Sequence, residues 1–297
     1  MRHVFRGTRP MAGVLALLAI APAAVIAQAE SDIFLVHVRL TAAGLVADSV
    51  TRITDRAGYD NQPSFTPDGR AILFTTIDDA GQADIHRFDL ATRRTRPITR
   101  TSPESEYSAT PMPGQPRFSA IRVEADSAQR LWSFAMDGSD ARVVLEDVRP
   151  VGYHAWLDAN RVALFVLGSP ATLRLADLAT GEAPILASDI GRSLHRVPGR
   201  DAVSFVHRTG QESTIEILDL ASGDTEPLVP PFPENEYHAW VSPAMIVTAR
   251  DSRLYTFTPG TDVTWVPGPD LGARGIRGIS RIAVSPDGAL IALVGVR

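Results

Sequence analysis

"FTPDGRAILF" (Phe65 to Phe74) and "VSPDGALIAL" (Val284 to Leu293) are nearly one phrase written twice, near opposite ends of a 297-residue chain. Each places an apolar residue and a Ser or Thr ahead of Pro-Asp-Gly, then a hydrophobic run. Pro fixes φ at the first corner, Asp bonds back to the turn backbone, and Gly accepts positive φ. Short apolar runs flanking such a turn predict a hairpin.

Degenerate copies of the turn lie between the two. Pro113-Gly114-Gln115, Asp158-Ala159-Asn160, Pro198-Gly199-Arg200 and Ser242-Pro243-Ala244 complete a series with Pro67 and Pro286 in which successive starts differ by 46, 45, 40, 44 and 44 residues. Behind each comes a β-rich run: "RAILFT", "RFSAI", "RVALFVL", "AVSFV", "AMIVTA" and "ALIALV". A second alternating segment then turns and leads into a short fourth one, "RPIT", "ARVVLE", "APILA", "EPLV" or "VTWV". Four short strands every 40 to 46 residues are the period of a propeller blade. No amphipathic helix is read behind the leader.

The count of units exposes the ends. Five are complete, and after the last Pro-Asp-Gly one strand remains. The missing half lies at the other terminus, where "SDIFLVHVRL" and "DSVTRIT" supply a third and a fourth strand around the turn "TAAG". The expected fold is therefore all-β: a six-bladed β-propeller of four-stranded blades, the sixth blade shared between N- and C-termini. A ring that did not interlock would leave two open sheet edges, which are sticky.

The first 29 residues stand apart. Arg2, Arg6 and Arg9 precede the apolar run "MAGVLALLAIAPAAVIA", and "AQA" (Ala27 to Ala29) offers a small-x-small exit. That order predicts a signal peptide over 1–29, cleaved near Ala27 or Ala29, ahead of a single propeller domain over 30–297. The expected location is the periplasm or outside the cell, with the processed chain not embedded in a membrane. Every basic residue is Arg, and there is no Cys, hence no disulfide. Cleavage after Ala29 would leave 26 Arg against 34 acids, or −8, which speaks against nucleic acid as a partner.

"NQPSFTPDGRAILFT" (Asn61 to Thr75) and "SRIAVSPDGALIALVG" (Ser280 to Gly295) resemble the WD-like repeat of the TolB-type β-propellers. "DLATGE" (Asp177 to Glu182) and "DLASGD" (Asp219 to Asp224) are similar to the later turn of the same repeat. The resemblance covers residues 31–297 and implies fold far more than activity. No α/β domain precedes the repeats, so the partner docking that such a domain assists in TolB is not implied. A propeller-capped serine peptidase is not implied either, since no Gly-x-Ser-x-Gly elbow occurs.

Candidate site residues sit just ahead of the turns, where innermost strands converge on the channel. "YHAW" (Tyr153 to Trp156), "SLHR" (Ser193 to Arg196) and "YHAW" again (Tyr237 to Trp240) bring Tyr153, His154, His195, Tyr237 and His238 from three consecutive units. Aligned on the Trp, the two "YHAW" histidines take the place of Pro63, and the sixth unit offers Ile282 beside Arg281. His195 falls out by one residue. Two or three imidazoles at a channel mouth could hold a divalent metal or act on an acidic ligand, and oligogalacturonate lyases resemble this chain loosely and use channel histidines around a metal. The alternative is packing, with Trp filling the interblade core and His bonded to a neighbouring carbonyl.

"DDAGQAD" (Asp78 to Asp84) reads as a hairpin turn and not as a calcium loop. "TSPESEYSATPMPGQP" (Thr101 to Pro116) and "VPPFPENEY" (Val229 to Tyr237) read as interblade connections forming an acidic rim. No catalytic set is complete, and neither a metal site nor a cofactor is assigned. The leading expectation is a monomeric, non-catalytic binding or scaffolding module of the cell envelope, holding a protein, peptide or glycan at the channel mouth or one loop face. The other is a metal-assisted lyase or hydrolase of an acidic saccharide or lactone.

Overall fold

The computed structural model describes residues 30–296. The leader over 1–29 lies outside them. Among the described residues, 24 strands form six four-stranded antiparallel sheets, and the only helical segment is a 3₁₀ turn at Gly272–Arg274. No helix among the described residues is long and apolar enough to cross a membrane.

Blade 1 runs through Tyr59–Phe65, Ala71–Ile77, Ala83–Asp89 and Arg94–Pro97 from the inside out. Blade 2 begins at Ser105–Pro111, blade 3 at Val151–Trp156, blade 4 at Ile190–Arg196 and blade 5 at His238–Ser242. Blade 6 is shared, as expected: Arg277–Val284 is innermost, then Leu290–Val296, then Asp32–Thr41 and Gly44–Arg52 from the other end of the chain. Asp32 faces Gly295 and His37 faces Leu290 along that junction.

The two Pro-Asp-Gly turns form one hydrogen-bond pattern twice. Thr66 Oγ1 donates to Asp68 Oδ1 at 2.6 Å and accepts the Ala71 N–H at 3.0 Å. Ser285 Oγ does the same with Asp287 at 2.6 Å and Leu290 N–H at 2.9 Å. Gly69 and Gly288 take φ of 66° and 72°, a region where a side chain is strained. A Cβ on Gly288 would also stand 3.0 Å from the Val241 carbonyl of blade 5, so this turn packs directly against its neighbour.

Strand alternation builds the core. Ile33 and Leu35 face blade 1, where they meet Phe65, Ile72 and Phe74, while Phe34 and Val36 face blade 5 and meet Val247 and Leu254. The same division recurs round the ring, with Leu73 against Phe118, Ile121 against Leu164, and Phe165 against Phe205. Burial lies between blades, so each blade is half of two cores.

Two stretches depart from the sequence reading. "VTWV" (Val263 to Val266) in blade 5 joins the sheet only at its last residue: the fourth strand is Val266–Asp270. The Thr261 and Asp262 N–H groups bond Thr258 O at 3.0 Å, which closes a turn and leaves Val263 fully exposed. "TSPESEYSATPMPGQP" contains the innermost strand of blade 2 rather than a connection. Glu106 within it is fully buried because Arg122 and Thr101 neutralise and bond it, at 2.9 and 2.6 Å. "VPPFPENEY" is a connection, yet Glu236 pairs with Arg208 at 2.6 Å, so this rim is internally neutralised. Asp78 to Asp84 does turn a hairpin, with Asp78 N–H on Gln82 O at 3.0 Å.

Candidate functional site

In every blade a residue stands five positions ahead of the first turn residue: Gln62, Ser108, Tyr153, Ser193 and Arg281 on the innermost strand, and Tyr237 immediately before it. The register breaks beside most of these positions, and Gln62 and Ser108 adopt φ of 56° and 54°. Such bulges re-aim side chains. All six line one cavity of about 130 Å³ at the centre of the ring. A wider cavity of about 510 Å³ shares part of its wall and opens toward the turns at Pro113, Pro198 and Pro286.

Arg281 leaves blade 6 and crosses the channel to blade 3, which stands opposite in the ring. Its Nη2 donates to the Tyr153 hydroxyl at 2.9 Å. The guanidinium carbon lies 4.1 Å from the Tyr237 ring centroid and 5.1 Å from that of Tyr153. Cation and two aromatic faces thus form one cluster, a bar across the channel. Burial pushes the Tyr59 phenol nearby up to about 12, against the pull of Arg281, and raises that of Tyr237. The Tyr153 phenol is raised by burial but brought below its ordinary value by the charge and hydrogen bond of Arg281.

The histidines do something else. His154 Nε2 and Trp156 Nε1 converge on the buried Ser119 hydroxyl of blade 2, at 2.7 and 2.8 Å. His238 Nε2 and Trp240 Nε1 converge in the same way on Ser204 of blade 4, at 3.0 and 2.9 Å. The repeated "YHAW" is an interblade fastening, with a serine hydroxyl where the packing alternative had a carbonyl. His195 sits one position out of phase: Ser193 takes the place of Tyr153, so Leu194 takes that of His154 and His195 is the next residue along. It faces the channel, with its ring centroid 4.9 Å from that of His238 and Ser193 Oγ bonded to both rings, at 3.3 and 3.1 Å. Burial lowers His154 to about 3, His195 to about 4, and His238 well below its ordinary value. All three are neutral at neutral pH and are feeble bases there.

All six residues expected from the sequence, Tyr153, His154, His195, Tyr237, His238 and Arg281, line the same central cavity; Arg281 meets Tyr153 and Tyr237, His195 packs on His238, and His154 is bonded to Ser119 across its blade interface. Among the described residues no three His, Asp or Glu side chains are grouped to hold a metal ion. Among the channel-wall residues that escaped the sequence reading are Gln62, Ser108, Arg192 and Ser193. The constant five-residue offset from the turn was the signal for Gln62, Ser108 and Ser193; Arg192 had none.

No protein-family model matches the chain, and no curated protein matches it. Solved structures do. TolB from Agrobacterium tumefaciens superposes with a TM-score of 0.67 at 13% identity, covering 90% of this chain and 98% of that one. TolB from Acinetobacter baumannii gives a TM-score of 0.62 at 13% identity over 89% of this chain, which spans only 64% of that protein's length. An oligogalacturonate lyase in complex with manganese gives 0.54 at 14% identity, over 84% of this chain and 80% of that one. At such identities the likeness is one of fold, and the six-bladed architecture of TolB-type propellers is the one found here. Within this channel, His154 and His238 each place Nε2 on a serine of a blade interface, while His154 Nδ1 is buried without a partner.

Proposed function

We propose that this is an exported, non-catalytic binding propeller of the cell envelope, monomeric, whose ligand or partner engages the wide channel mouth on the turn face. The observation that carries this reading is the contrast within the channel. The histidines that could have done chemistry are neutral and largely committed to blade packing, while a cavity of about 510 Å³ stands open above the Arg281 bar. A cavity of that size suits a small ligand or the tip of a partner chain. Removal of the leader over 1–29 belongs to the same proposal, and the mass of the protein recovered from the envelope fraction tests it.

For the mouth, a photo-crosslinking residue replaces Pro113 or Pro198 at its rim, with Val263 on the outer edge as the control position. Crosslinked envelope species from the rim positions and not from Val263 are expected. Equal capture at all three, or turnover of an acidic oligosaccharide by the purified protein, would overturn the reading.

A further inference from the structure

Neither cavity of the channel contains an Asp or a Glu in its wall, although the chain carries more acids than Arg. Three guanidinium groups do line it: Arg281 at the bar, Arg192 beside it, and Arg196 toward the mouth. None of the three makes an ion pair with another described residue. Glu236, the carboxylate nearest Arg192, is turned to Arg208 at 2.6 Å and to the Arg192 backbone N–H at 3.2 Å. Guanidinium carries five N–H donors, and Arg281 makes one side-chain hydrogen bond, to Tyr153. The Ser108 hydroxyl, in a residue of the same wall, is buried without a partner. A cation held in a narrow cavity with spare donors calls for an anion, and a planar fork of donors fits a carboxylate.

Above the bar the wall changes character. Phe65, Pro111, Trp156, Trp240 and Val284 contribute apolar surface, and the Ser64 and Ser285 hydroxyls are already bonded within the fold. We propose that the Arg281 bar is the head-group site for a small carboxylate carried on an apolar body, the carboxylate meeting Arg281 and Arg192 and the body filling the wide cavity. This rests on the reading of the channel as a binding site and adds the chemistry of what enters it.

Phenylbutyrate, its uncharged amide, and galacturonate are the probes, titrated by calorimetry into the full-length processed protein. The carboxylate is expected to bind at least about tenfold more tightly than the amide, from the loss of a charge-assisted contact, and more tightly than the sugar acid. Arg281→Gln should remove that preference. Because Arg281 also holds Tyr153, the exposed Arg192→Gln is measured in parallel and should weaken the carboxylate severalfold at unchanged melting temperature. The proposal is overturned by equal affinity for acid and amide, by galacturonate binding as tightly as phenylbutyrate, by no phenylbutyrate binding at millimolar concentration, or by wild-type affinity in Arg192→Gln. Crosslinking at the rim without any carboxylate preference would refute this inference and leave the wider proposal standing.

Discussion

Ser119 and Ser204 are single hydroxyls on which a histidine and a tryptophan of the next blade both depend. Replacing either by Ala leaves two buried polar groups without a partner, at a cost of roughly 1–3 kcal/mol. Chemical denaturation of Ser119→Ala and Ser204→Ala is expected to show losses of that order. The two sites lie in different interfaces, so the double variant should show the sum. His154 makes stability depend on pH. Its folded value, about 3, lies below the unfolded one near 6.5, so the unfolded chain binds more protons between the two. Stability from this group is fully present above about pH 6.5 and is lost as pH falls toward the folded value. The buried carboxylates Asp60 and Glu106 work in the opposite sense, since burial raises both. Comparison with His154→Asn isolates the imidazole: the stability difference, wild type minus variant, should shrink on acidification, by up to about 1.4 kcal/mol per pH unit. A constant difference from pH 7 to pH 4 would show that His154 does not titrate this way.

At the scale of the element, the strand Leu290–Val296 has partners on both sides, Arg277–Val284 and Asp32–Thr41. Ile291, Leu293 and their neighbours Ala292 and Val294 serve the two flanking cores at once. Deleting residues 290–296 is expected to abolish the cooperative unfolding transition and leave insoluble protein; a soluble variant melting within a few degrees of wild type would refute the role given to this strand. The strand was legible in the sequence because its turn is local: six residues, "SPDGAL", contain every donor and acceptor of the motif. "VTWV" was misread for the complementary reason. Its alternation is a strand's, but the Thr258 to Asp262 turn and the bond from Trp265 Nε1 to Pro230 O, at 2.8 Å, hold it elsewhere. Glu106 was misread as rim because its partner Arg122 lies on the next strand. The Arg281 to Tyr153 contact was visible to no local pattern, since it joins residues 128 apart and exists only once the ring is closed.

For the whole molecule, the position of the chain ends matters less than the continuity of the ring. Asp32 and Gly295 are strand partners, so a short linker can join the two ends, and Gly210 with Gln211 forms an exposed hairpin tip at which the chain can be opened. A permuted protein of this kind is expected to keep the circular dichroism spectrum and a melting temperature near that of the parent. Loss of the folded spectrum would mean that blade 4 cannot be interrupted and that the blades are not equivalent halves of shared cores. The shared sixth blade also imposes an order in time. Of the described strands, Asp32–Thr41 is the first to leave the ribosome or a transport pore, and the strand it must pair with, Leu290–Val296, is the last. Until that final segment emerges, the hairpin of Asp32–Thr41 and Gly44–Arg52 and the outward faces of blades 1 and 5 lack their partner strand, with pairing of high sequence separation still to be made. The protein's vulnerable period is therefore its own birth, and a holding chaperone would be needed for as long as the chain takes to arrive.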